Sequence, residues 1–118
     1  MSALEKQVGG KHYKNLTYQP VKLAADADLN FFQTSILKYV LRYKNKNGLE
    51  DLKKGVHYAE LGQELKPANH ANLTFAHIFI SANNLSSIMA ELVYAVFNQY
   101  WDIVKLLIGD LVHKESKA

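Results

Sequence analysis

Lys38 and Arg42 stand four residues apart, so on a helix both project from one face. Tyr39 and Tyr43 repeat that spacing beside them. Converging Lys and Arg side chains can hold phosphate oxygens, and a tyrosine ring offers a flat surface on which a base can stack. The chemistry this suggests is recognition of a phosphate-bearing small molecule with an aromatic ring. Lys44 and Lys46 follow at the end of the same helix, and Lys53 and Lys54 open the next. The competing reading is a solvated basic face, because lysines near a helix C-terminus complement its dipole.

Two further groups could join them. In "KHYK", residues 11–14, His12, Tyr13 and Lys14 follow the Gly9-Gly10 joint and sit on an arm that could close over a ligand. An ordinary polar terminus is the plainer alternative. His57 and Tyr58, on the return helix, complete the candidate ligand-binding set. The pairs Glu50/Asp51 and Glu60/Glu64 could hold Mg²⁺ if they faced one cavity, although exposed helix carboxylates are far commoner. His70, His77 and His113 share no metal-site spacing with a carboxylate, so no metal site is expected.

Several kinds of chemistry have no residues to support them. No cysteine is present, which removes disulfides, thiolate catalysis and cysteine-ligated zinc together. Neither G-x-x-x-x-G-K-[ST] nor G-x-G-x-x-G occurs, and "VGGKH" is too short to be a phosphate loop. No serine lies in a nucleophile elbow. No catalytic residue is assigned.

The elements that must position these groups read as helices. Phe32, Ile36, Leu37, Val40 and Leu41 recur at three and four, predicting a helix over 31–45 with Asp28 or Asn30 as its cap. "KNKNG" closes it, Gly48 taking the left-handed conformation that other residues resist. A second helix, 49–65, opens with Glu50 and Asp51 at its positive end and turns Leu49, Leu52, Val56, Ala59 and Leu65 inward. The short connection makes the two antiparallel neighbours. Residues 1–12 read as an arm, and Gln19, which precedes Pro20, is biased toward extended geometry. Residues 73–82 read as a short helix despite their strand-like composition, since an isolated strand would lack a partner. Helices over 85–98 and 101–114 then form a C-terminal hairpin. Tyr94, Phe97, Tyr100 and Trp101 exceed what one small core can cover, which points to self-association through that hairpin.

The expected architecture is therefore all-α: a small helical domain with an N-terminal extended arm, an antiparallel helix pair and a C-terminal helical hairpin. At 118 residues with 48% hydrophobic content it is one domain with a real core. The formal net charge of +3 is modest, but the charge is unevenly placed. Residues 1–66 hold eleven Lys and Arg against seven Asp and Glu; residues 67–118 hold three against four. The basic half is the nucleotide-binding candidate and the apolar half the oligomerisation tail. No apolar run suggests a signal peptide or a membrane span, so a cytoplasmic protein without membrane contact is expected.

Residues 9–61 also resemble a known family. His12-Tyr13, Gln19-Pro20, Lys38-Tyr39 with Arg42, the basic turn Lys44 to Lys46, Glu50-Asp51-Leu52 with Lys54, and Tyr58 together match the pattern of domain-of-unknown-function family 3310. This is a small phage protein family, some of whose members are described as phage nucleotide kinases. One position departs: Thr34-Ser35 stands where Gly-Asn is usual, so any ligand contact there must differ. The resemblance implies a phage origin, and with it the infected host's cytosol, and a nucleotide-like ligand.

Three functions compete. The leading one is a phage-encoded oligomer that sequesters a nucleotide-derived host immune signal, of cyclic-nucleotide or ADP-ribose type, without turnover or cofactor. The second is a nucleoside monophosphate kinase, with Mg²⁺ held by Glu50 and Asp51. The third, nucleic-acid binding, ranks last: the charge is small, and affinity would have to fall steeply with salt.

Overall fold

Pro20 starts the first helix, because its ring presets a helical φ and it lacks an N–H that the first turn would leave unpaired anyway. The computed structural model describes residue 3, residues 16–44 and residues 48–117, and among these every regular element is helical. The elements are α1 (Pro20–Ala27), α2 (Phe31–Arg42), α3 (Leu49–Leu65), α4 (Thr74–Ala82), α5 (Ser87–Phe97) and α6 (Trp101–Lys117). The all-α architecture is as expected.

Gln19 has the extended backbone expected of it, at φ −78° and ψ 148°, and α1, a helix the residue pattern did not predict, follows at once. Of the two cap candidates for α2, Asp28 instead ends α1 in the left-handed conformation at φ 59°. Asn30 is the cap: its side chain accepts from the Gln33 N–H while the Gln33 side chain accepts from the Asn30 N–H. α2 stops at Arg42, three residues early, and Gly48 takes φ 52° with its N–H donating to the Tyr43 carbonyl at 2.9 Å.

α2 and α3 are antiparallel: Arg42 meets Asp51 beside the turn, and Phe31 reaches Tyr58 toward the far end. α6 packs against the other side of α3, and two glycines permit the approach. A Cβ on Gly62 would lie 2.8 Å from the Trp101 ring, and one on Gly55 would lie 3.2 Å from both Ile108 and Val40. α5 leans on α6, while α1 and α4 pack together at one end of the bundle. Ile36, Leu37, Val40, Leu52, Phe79, Leu92, Phe97 and Ile108 form the buried centre. Leu49 and Leu65, expected inward, are 38% and 62% exposed. Leu65 lies a turn beyond Gly62, past the point where α6 begins, so it has no helix to cover it.

Gln33 is fully buried and ties three regions together. Its amide nitrogen donates to Asn69 Oδ1 and to the Val96 and Phe97 carbonyls. Asn30 adds bonds to the Ala68 carbonyl and to Gln99, which itself donates to the Pro67 carbonyl. The start of α2 is thereby held against the 66–73 loop and the α5–α6 turn.

The fold absorbs three of the four tail aromatics. Phe97 is buried, Trp101 lies over Gly62, and Tyr94 pairs with His77 Nδ1 at 2.6 Å. Tyr100 remains 56% exposed, with Ile103 and Leu106 next to it along the outer side of α6. Among the described residues no helix is long and apolar enough to cross a membrane.

Candidate functional site

The antiparallel packing of α2 on α3 collects cations around one ring. The Arg42 guanidinium carbon lies 4.7 Å from the Tyr39 centroid, Lys54 Nζ 5.3 Å and Lys38 Nζ 5.8 Å. All three fall within the range at which a ring's negative face attracts a cation. The ring itself is half-buried, stacked on Tyr58 at 5.8 Å and 13°. Phe31 meets Tyr58 edge-on at 5.6 Å and Phe32 at 5.7 Å, extending an aromatic row along both helices. His57 is exposed beside Tyr58, 6.1 Å between centroids.

The charges are not equivalent. Arg42 Nη2 donates to Asp51 Oδ1 at 3.2 Å; the carboxylate side chain is fully buried and the guanidinium 11% exposed. This pair ties the end of α2 to the start of α3. Lys54 is 40% exposed and lies 3.5 Å from the exposed Glu50 carboxylate. Lys38 is exposed. Lys38 and Lys54 thus reach solvent, whereas Arg42 is held against Asp51.

The two carboxylates considered for Mg²⁺ diverge: Asp51 turns inward to Arg42, and Glu50 turns outward to Lys54. Glu60 and Glu64 are exposed. Among the described residues no three of His, Asp and Glu come together as a metal-binding group.

Other candidate residues lie elsewhere. Tyr43 is 5% exposed and belongs to the core, where burial first and the Glu115 charge second push its hydroxyl pKa up. Lys44 sits over the Tyr43 ring at 5.9 Å, in a depression shared with Met89 and Lys114, away from Tyr39. His12, Tyr13, Lys14 and Lys46 fall outside the described residues.

A cleft that the residue pattern did not reveal opens on the other side of Lys38. It has a volume of about 300 Å³ and is lined by Gln19, Pro20, Val21, Thr34 and Lys38. Thr34 and Lys38 stand four apart along α2, so the helical spacing was the available signal. The cleft's α1 wall is firmly placed. The Tyr18 N–H donates to Asn83 Oδ1 at 2.9 Å, and Asn83 Nδ2 donates to the Tyr18 carbonyl at 2.8 Å. The Tyr18 ring meets Phe79 edge-on, and its hydroxyl donates to Asp26. Burial first, then that bond, pushes the Tyr18 pKa up to about 12. Asp26 is held below the usual carboxylate range, by its bond from Lys22 first and from Tyr18 second.

Residues 8–60 match the family model described as a protein of unknown function, DUF3310. The match covers a little under half of the chain. It contains every candidate ligand residue from His12 to Tyr58 and ends within α3. No curated protein and no solved structure matches the chain. The matched segment thus supplies α1, α2 and the first two-thirds of α3, and the remaining helices complete the core beneath them.

Proposed function

We propose that this chain is a nucleotide-binding protein that holds a phosphate-bearing small molecule against the basic face of α2 and α3. The observation that carries the reading is the gathering of Lys38, Arg42 and Lys54 around the Tyr39 ring. Asp51 and Glu50 already face Arg42 and Lys54, and a nucleotide phosphate would add an anion at the solvent side of the cluster, where Lys38 and Lys54 can reach it.

Binding is favoured over phosphoryl transfer by where the carboxylates point. A kinase needs groups that hold Mg²⁺ between two nucleotides. Asp51 is closed against Arg42 and Glu50 is paired with Lys54, so the pair suggested for that task is divided. In a phage-encoded protein working in the host cytosol, such a site would serve to sequester a nucleotide-derived immune signal.

Titration calorimetry with AMP, ATP, ADP-ribose and cyclic mono- and dinucleotides tests the reading. One of them binds below about millimolar, and Tyr39→Ala weakens it by about 0.5–2 kcal/mol, because the ring that gathers Lys38, Arg42 and Lys54 is lost. Conversion of ATP and a nucleoside monophosphate to diphosphates in Mg²⁺ would move the assignment to the kinase.

Self-association belongs to the same proposal. Tyr100, Ile103 and Leu106 leave an apolar stripe on the outer side of α6 that a second copy would cover. Sedimentation at tens of micromolar should give at least a dimer's mass, and Leu106→Glu should return it to a monomer's. A wild-type monomer at that concentration would remove the oligomer from the account.

A further inference from the structure

Lys38 belongs to two surfaces at once. Its ammonium group is 5.8 Å from the Tyr39 ring on the α3 side, and the residue also lines the cleft between α1 and α2. We infer that this cleft is the subsite for the uncharged ring and sugar of a single nucleoside, whose phosphates lie on Lys38 and Lys54. The inference rests on the nucleotide-binding reading above and assigns the other half of the ligand.

The cleft's chemistry suits that occupant. Pro20 and Val21 give it a mostly apolar lining, and Val21 is 61% exposed at its edge, an aliphatic side chain left open to solvent. Apolar walls with a few polar groups are what small-molecule sites present. Thr34 supplies one such group. Its hydroxyl donates to the Asn30 carbonyl at 2.9 Å, so the same oxygen remains able to accept a bond from an amino or hydroxyl group of a ligand.

Size narrows the class. A volume of about 300 Å³ lies at the small end of ligand sites, room for one nucleoside and not for two. Charge sets the orientation. Lys38 is the cation among the lining residues, and its ammonium stands with Lys54 and Arg42 around the Tyr39 ring. A ring seated between α1 and α2 therefore places its phosphates at Lys38, the residue shared by the cleft and the basic face.

The cleft is also built before any ligand arrives. The two bonds between Tyr18 and Asn83 hold the chain just ahead of Gln19, and the Asn30–Gln33 capping box holds the start of α2. A preformed wall avoids the ordering cost that a collapsing site would impose on binding.

The test uses ATP and inorganic tripolyphosphate on the full chain, with Val21→Trp to fill the cleft from an exposed position. Wild type should bind ATP about tenfold or more tightly than tripolyphosphate. Val21→Trp should bring ATP down to the tripolyphosphate level while changing tripolyphosphate by less than about twofold. Unchanged helicity and melting temperature establish that the variant is folded. The subsite is wrong if ATP retains its advantage in folded Val21→Trp, if both probes weaken together, or if wild type binds both equally. Binding of neither probe, nor of any other phosphate compound, overturns the nucleotide reading itself and this subsite with it.

Discussion

Arg42→Ala lowers the unfolding free energy by about 3–5 kcal/mol, because it leaves the Asp51 carboxylate buried with its guanidinium partner gone. Desolvating a carboxylate costs several kcal/mol, and the 3.2 Å bond from Arg42 contributes to offsetting it in this fold. Asp51→Ala is expected to be milder, since Arg42 retains some solvent contact and the Tyr39 ring at 4.7 Å. The double replacement Arg42→Met with Asp51→Leu removes both charges and should recover most of the loss. Urea unfolding of the four proteins measures this; a single Arg42→Ala within about 0.5 kcal/mol of wild type would mean the pair does not hold α2 to α3.

That prediction changes how Arg42 can be tested as a ligand residue. From the sequence, Arg42 and Lys38 were equivalent cations on one helix face. In the folded chain Arg42 has a structural duty as well, so lost binding in Arg42→Ala is interpretable only where the variant remains folded. Lys38 and Lys54 carry the cleaner test.

Much of the fold was legible in local pattern. Ile36, Leu37 and Val40 marked the inward face of α2, and Glu50 with Asp51 marked the start of α3. Asn30 followed three residues later by Gln33 is a cap signature that the residues themselves carry. α1 escaped notice because eight residues show barely two turns of periodicity. Leu65 misled for a different reason: the helical period gives a direction, but what packs there depends on where α6 begins.

The site was legible as a set of residue types and not as an arrangement. Asp51 is nine residues from Arg42 and Tyr58 nineteen from Tyr39, and only the docking of α3 on α2 brings each pair together. Tyr43 looked like the partner of Tyr39 at helical spacing, yet the four-residue step turns it into the core, beneath Lys44. The α1–α2 cleft needed α1, so missing that helix hid the cleft as well.

The second large effect is on binding. Lys38→Ala combined with Lys54→Ala removes the two cations around Tyr39 that keep substantial solvent contact and are therefore best placed to meet an incoming phosphate. Each contributes about tenfold, so the double variant should bind nucleotide about a hundredfold more weakly, about 2.7 kcal/mol. Because both side chains reach solvent, their loss should leave helicity and melting temperature nearly unchanged.

Calorimetric titration of ATP into wild type, the Lys38→Ala/Lys54→Ala double variant and the Lys114→Ala control therefore tests the central claim most directly. The account predicts measurable binding by wild type, a loss of about two orders of magnitude in the double variant, and no change in the exposed Lys114→Ala control. Equal affinity in the double variant and wild type, or no binding of any phosphate-bearing small molecule below about millimolar, would contradict it and leave the cations around Tyr39 as a solvated helix face.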